Sequence, residues 1–351
     1  MSEGNVQPEL NRQENLVILS QVNNEVLEVN PNVFMPLRLE KGKPSPLGVF
    51  AESMLRDKPD KSLKGKVIGE FLPSHNRSML IGKVFFQDTE GRLYRDIDIK
   101  GSGWVMNYAL GKHPPRVFTP GKSRLAEGTV VGSSPHGGLL DRDVAFHDYL
   151  TAEELLKIGV RTYRGLAIIE LKELIVNGSK KAVQDIKKAG LIDEDFNPVI
   201  EVRAFGTKIR VDERKNPKLL EDAKKLVSKE FGIVFPSDED YFRWFADELG
   251  KSVGLLHKNG LSHNFLGTGH NITLDCRIVD LDTVRPLTSE KHRKQDALDA
   301  AFLASGLSPD SKKHVSEWMD EPLARIFYKG YNRAFPAQER KDRSQFIPVG
   351  K

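Results

Sequence analysis

Leu93-Tyr94-Arg95-Asp96-Ile97-Asp98-Ile99-Lys100, followed at once by Gly101-Ser102-Gly103, is the stretch on which the fold turns. Ile97 and Ile99 alternate with Asp96, Asp98 and Lys100, a period of two that predicts a strand with one apolar and one polar face. Two similar runs precede it, KVIGEFL at 66–72 and MLIGKVFF at 79–86, separated by the turn-rich segments PSHNRS and DTEG. Together they predict an antiparallel meander of three strands. The lysine that closes the third strand, with a flexible Gly101 and Gly103 beside it, reads two ways: as a cation reaching an anionic ligand, or as a surface lysine at a strand end.

Downstream, residues 101–141 are rich in Gly and Pro, the composition of a long functional or solvated loop. Lys112, Arg116, Lys122 and Arg124 fall in it, so it reads equally as a lid over anions or as an excursion into solvent. A helical stripe then runs over 143–158 and stops at Gly159, and strands are predicted at 165–171 and 199–205, with a short helix at 180–189 between them. From 212 onward the pattern is helical. The strongest helix covers 240–258, where Phe242, Phe245, Ala246, Leu249, Val253 and Leu256 fall on one face. Two short strands, 272–274 and 277–279, follow a Gly-containing loop, and 289–351 is helical with a basic tail. Upstream, residues 1–30 show no sustained period and read as a loosely attached arm.

The division that follows is an arm and lead-in at 1–65, a β-rich part at 66–211 with an inserted loop at 104–141, and an α-helical part at 212–351 that holds a small hairpin. No βαβ alternation is present, so the fold class is α+β rather than doubly wound. The length of 351 residues suits two units better than one core. With 53 Lys and Arg against 49 Asp and Glu, the net charge of +4 is too mild for a nucleic-acid binder, and no apolar run reaches the ~20 residues of a membrane span. The N-terminal residues are polar, unlike a secretory or transit segment, and the single cysteine, Cys276, cannot form an internal disulfide. These features lead us to expect a cytoplasmic protein with neither nucleic-acid nor membrane partners.

Further positions carry candidate chemistry. Asp148, Glu153 and Glu154 sit on the helix after the loop, and an acid there could hold Lys100; they also read as a solvated helix face. Arg203 lies within an apolar strand, and Arg210 follows seven residues later. A guanidinium there requires a phosphate or a structural acid such as Glu201 or Asp212. Asn271 and Asp280, nine residues apart, flank the predicted hairpin, which would return both to one mouth as a hard oxygen site for Mg²⁺; they also read as an Asx turn at each end of the hairpin. His257, His263 and His270 have spacings that do not share a helix face, which disfavours a zinc triad.

Strand lysine, helix acid, helical half, loop Asn and strand-end Asp occur in the order of a protein-kinase-like bilobal fold, with a β-rich N-lobe and an α-helical C-lobe. The His-Arg-Asp triplet of ordinary kinases is absent. The chain resembles the selenoprotein O family, kinase-like proteins that transfer AMP to protein hydroxyls. The resemblance covers roughly residues 66–290. It rests on Lys100-Gly101-Ser102-Gly103, on the helix from His147 through Leu155 to Gly159 and Leu166, on Arg203 with Arg210, and on Asn271 with Asp280. It implies ATP as substrate, bound by Lys100, Gly101, Gly103, Arg203 and Arg210. It also implies Mg²⁺ or Mn²⁺ on Asn271 and Asp280, and Ser, Thr or Tyr of a protein as acceptor. The chain departs from the family in having His270 where an acid acts as base, Asp148 in place of Glu, a loop about twice the family's length, and no terminal selenocysteine or cysteine. His270 is the candidate base in this chain, since an imidazole accepts a proton near neutrality.

Overall fold

The computed structural model describes residues 16–33, 39–55, 63–71, 77–106, 116–118, 138–176, 178–306 and 321–340. The chain is α+β, with a large antiparallel sheet and several helices. It divides into two compact units, residues 1–149 with 164–205 and residues 150–163 with 206–351. The first ends closer to its last strand than the expected boundary at 211.

In the first unit the strands are β1 (Leu16–Gln21), β2 (Asn24–Val29), β3 (Val49–Met54), β4 (Val67–Phe71), β5 (Ser78–Gln87), β6 (Leu93–Lys100), β7 (Trp104–Met106), β8 (Arg116–Phe118), β9 (Leu140–Asp141), β10 (Arg164–Leu171), β11 (Glu173–Val176), β12 (Ser179–Ala182) and β13 (Pro198–Phe205). The main sheet runs β2-β10-β13-β6-β5-β4-β1-β3, with β9 paired to β13. The expected meander is present as β4-β5-β6, paired antiparallel throughout. The reading of residues 1–30 as a loose arm is corrected for 16–30, residues 1–15 lying outside the described residues: β1 pairs with both β3 and β4, and β2 pairs with β10. Val17, Leu19 and Val26 lie in the main core, so the contacts that fix this segment come from strands distant in sequence. The short helix expected at 180–189 is shortened to α2 (Val183–Lys188), because 179–182 pairs with β11 as a hairpin. Most of the inserted loop, including Lys112, Lys122 and Arg124, lies outside the described residues; within it β7 pairs with β8.

One face of the sheet is apolar. Ile97, Ile99, Val202 and Ala204 join Phe50, Phe71, Met79 and Ile169 in a single cluster. The other face takes the first turns of α1 (Arg142–Lys157), where Ala145 and Tyr149 pack on Val199 and Ile168. Gly165 makes this possible: a Cβ there would meet the Tyr149 ring at 2.4 Å.

The second unit holds the rest of α1 with α3 (Pro217–Phe231), α4 (Asp238–Lys258), α5 (Glu290–Ala304) and α6 (Pro322–Arg333), plus the two-residue strands β14 (Leu261–Ser262) and β15 (Arg285–Pro286). Asn216 caps α3 and Ser237 caps α4 through side-chain oxygens that accept backbone N–H groups. The apolar face of α4 buries Phe245, Ala246, Leu249, Val253 and Leu256 as the spacing predicts. Gly250 and Gly254 let α6 come close: a Cβ at either would stand 2.0 or 2.4 Å from the carbonyl oxygens of Phe327 and Tyr331. Among the described residues no helix is long and apolar enough to cross a membrane. Residues 341–351, most of the basic tail, lie outside the described residues.

Candidate functional site

The polar face of β6 is not open to water as its alternation suggested; all eight residues of the strand are buried. Strand register explains what replaces the water. Ser78, Lys100 and Glu201 stand in one row across β5, β6 and β13, and Leu80, Asp98 and Arg203 stand in the next. Opposed residues on neighbouring antiparallel strands share a face. Lys100 Nζ lies 2.6 Å from Asp148 Oδ2, and both side chains are buried. The strand lysine and the helix acid, 48 residues apart, therefore form the pair that the sequence suggested. Arg203 forks onto a different acid from those weighed in the sequence: its Nε and Nη2 donate to the two oxygens of Asp98 at 2.9 and 2.8 Å, and Nη2 also donates to Ser78 Oγ at 3.0 Å.

Glu201 is the residue that the sequence reading undervalued. It is fully buried, its oxygens have no hydrogen-bond partner, and Arg203 Nη1 lies 3.9 Å away. Burial pushes its carboxyl up to about 8, with Asp148 and Asp98 adding to the effect and Arg203 and Lys100 opposing it.

Gly101 and Gly103 have a structural reason rather than the flexibility first read into them. Both adopt φ of +100°. A Cβ on Gly101 would meet Val199 O at 2.4 Å, and its N–H donates to Arg77 O. They turn the chain at a packed corner where only glycine fits.

In the second unit the expected hairpin at 272–279 is reduced to a single antiparallel bridge, Ile272 to Ile278, flanked by short 3-10 turns. The tight turn at Asp275-Cys276 prevents a longer ladder, with Cys276 at φ +63°. The turn is pinned from below. Fully buried Arg277 donates to Asp275 Oδ2, to Thr162 O and to Glu230 Oε2, while Arg161 forks onto Glu230. Although burial raises Asp275, Arg277 and Arg161 hold it below the usual carboxylate range. On the other flank His263 Nε2 donates to Val279 O at 2.7 Å.

These braces bring Asn271 beside Val279, the residue before Asp280. Val279 N–H donates to Asn271 O at 2.9 Å, and Asp280 follows in the left-handed conformation at φ +65°. Asn271 Nδ2 donates to Phe265 O at 2.9 Å, which commits the amide nitrogen to the protein. One amide oxygen and one carboxylate suit Mg²⁺, which keeps waters and takes further oxygens from phosphate. His270 Nδ1 sits 2.7 Å from Asp212 Oδ2, with both side chains about half exposed. Asp212 was missed as its partner because the contact depends on Gly269, where a Cβ would stand 1.6 Å from Asp212 Oδ1. Arg210 belongs to this second unit; it is buried, and its Nη1 donates to Lys208 O at 3.1 Å.

The three histidines of the disfavoured zinc triad have separate employments. His257 lies between Tyr331 and Asp296, His263 donates to Val279 O, and His270 takes Asp212. Among the described residues no group of three or more His, Cys, Asp and Glu is placed to hold a metal.

No protein-family model matches the chain, and no curated protein matches it significantly.

Proposed function

We propose that the chain is a Mg-ATP-dependent nucleotidyltransferase of protein-kinase-like, bilobal fold, moving AMP onto Ser, Thr or Tyr hydroxyls of proteins. One observation carries the reading: the buried pair of Lys100 and Asp148 at 2.6 Å. A lysine held this way by a helix acid presents a fixed ammonium to phosphate oxygens. Asp148 acts as its positioning residue. Asn271 and Asp280 would hold the metal, which when bound neutralises charge on the phosphates. Asp212 on Nδ1 fixes the His270 tautomer, so Nε2 is the basic nitrogen.

The step balances simply. The acceptor oxygen attacks the α-phosphorus, the bond from that phosphorus to its bridging oxygen breaks, and pyrophosphate leaves. The hydroxyl proton passes to His270 Nε2. Positioning and charge neutralisation supply the rate, as in phosphoryl transfer generally.

The pairing of Arg203 with Asp98 favours a second reading. A pocket in which Arg203 and Arg210 together bury the terminal phosphate would present the α-phosphorus; with Arg203 committed to Asp98 and Ser78, that bias weakens and γ-phosphoryl transfer gains. ATP labelled at the α or at the γ phosphorus separates them. Label on protein from the α position alone supports AMP transfer, and label from the γ position alone replaces it with a kinase-type reaction. ATP binding without transfer of either label makes the chain a silent nucleotide-binding module.

A further inference from the structure

Glu201 has no task in the chemistry above, yet it sits among the groups that chemistry uses. Across the register it stands directly opposite Lys100, and Arg203 follows two residues later on the same face. Ile168 opposes it from β10, and Val199, Ala145 and Tyr149 close the same side. The charged groups that face it include Arg203 on its own strand, Lys100 and Asp98 on β6, and Asp148 on α1. Glu201 is fully buried and neither of its oxygens has a hydrogen-bond partner, so ionising it would leave a carboxylate unsatisfied away from water, which is costly. A proton on Glu201 removes that cost.

We propose that Glu201 is a positioning residue of this face: as a neutral carboxyl it leaves Lys100 to Asp148 and Arg203 to Asp98, and as a carboxylate it draws both cations to itself and closes the face to an anion. The anion is a phosphate group, and this identification rests on the nucleotide reading above. The proton is held at neutral pH and lost a little above it, since the carboxyl is raised to about 8.

The test uses the full chain as wild type, Glu201→Gln, which has the shape of the neutral acid, and Glu201→Leu, which matches the apolar neighbours. If one variant does not fold, the other serves. Inorganic tripolyphosphate with Mg²⁺ is the probe, titrated calorimetrically from about pH 6 to pH 10, with melting temperatures measured from about pH 5. Wild-type affinity is expected to fall as pH passes about 8, approaching tenfold per pH unit for one linked proton, and neither variant should show this fall. The melting temperature moves in a different window. Between the unfolded value of 4.5 and the folded value of about 8, the unfolded chain has lost this proton and the folded chain has kept it. Wild-type stability therefore falls relative to the variants as pH rises through that window, and the difference levels off above it. Variants that retain both wild-type profiles overturn the proposal. Failure of the nucleotide reading looks different: wild type then binds no tripolyphosphate at any pH. The melting profile alone judges Glu201 in that case, with a slope shared by the variants sinking it and a slope lost in them supporting it.

Discussion

On the polar face of β6 and β13, Lys100, Arg203, Asp98 and Asp148 are buried as charges beside Glu201. In the helical unit the buried titratable groups near the candidate metal loop include neutral rings: His257 accepts from Tyr331 Oη and donates to Asp296, and His263 donates to a carbonyl. Both regions bury charge against charge, but to different ends. On the sheet face the charged side chains are themselves the candidate site, so losing one member disturbs the rest. In the helical unit the buried pairs of Arg161, Arg277, Asp275 and Glu230 fix backbone and leave the groups that would do chemistry at the ends of that backbone. Substitutions on the sheet face should therefore cost stability and ligand binding together, whereas substitutions at the loop should cost activity alone.

The sharpest break of that contrast is Asp148→Ala. It removes the carboxylate 2.6 Å from the buried Lys100 ammonium, and stability should drop by about 3–5 kcal/mol. Urea unfolding reads the loss, and ATP binding should vanish in the same protein under conditions where it is still folded. A drop below about 1 kcal/mol would mean that the pair is solvated, and the sheet face would then resemble the loop. Next in size is Asp280→Asn. Asn tolerates the left-handed backbone at φ +65°, so folding should change by no more than about 0.5 kcal/mol. The carboxylate charge is gone, and transfer activity should fall by about 10²-fold, or about 2.7 kcal/mol. Comparable losses of stability and activity would erase the distinction between the two regions.

The pH response gives a smaller and more graded comparison. Burial pushes His257 and His263 below the ordinary imidazole value of 6.5, against the opposing pull of Asp296 and, for His263, of Val279 O. Their folded forms bind protons less readily than the unfolded chain does. Stability is fully present above 6.5 and is lost as pH falls below it, by up to about 1.4 kcal/mol per unit for each proton linked. Glu201 has the opposite sign, losing its contribution as pH rises from 4.5 to about 8. Hydrogen-exchange protection factors, corrected for intrinsic rates, should therefore weaken first in α4 on acidification and first in β6 and β13 toward pH 8. The same order of loss in both directions would refute the contrast.

What the sequence made legible was whatever depends on local periodicity. The alternation in 93–100 placed Lys100 on the polar face of a strand, and the helical stripe after Gly138 placed Asp148 on the helix that meets it. Partners set by strand register stayed hidden. Arg203 forks onto Asp98, with Glu201 farther off at 3.9 Å, because β13 lies beside β6 in one particular register, and no run of neighbouring residues encodes that. For the same reason Glu201 read as an ordinary acid, and its isolation followed only from the row it shares with Lys100. Segment 16–29 read as an arm although Asn24–Val29 carries some alternation, since the strands it joins lie elsewhere in the chain. The hairpin at 272–279 was legible in outline but not in length, because its bracing comes from Arg161 and Glu230, more than 40 residues away.

The mildest effect expected is at the loop's exposed edge. Asp212 and His270 pair at 2.7 Å with side chains 42% and 54% exposed, so the ion pair itself adds at most about 1 kcal/mol to folding. Its worth would lie in orientation: a carboxylate on Nδ1 keeps the proton there and makes Nε2 the acceptor. Asp212→Asn keeps the size of the side chain but can present its amide N–H₂ to Nδ1, which favours the other tautomer. Transfer should slow by about tenfold, or about 1.4 kcal/mol, with ATP affinity unchanged. Gly269→Ala should reproduce this loss without altering either partner, because its Cβ would stand 1.6 Å from Asp212 Oδ1 and must push the carboxylate away. Agreement between the two variants would tie the rate to the orientation of His270. If both transfer label as fast as wild type, His270 is not the base, and the loop's chemistry reduces to what Asn271 and Asp280 can hold.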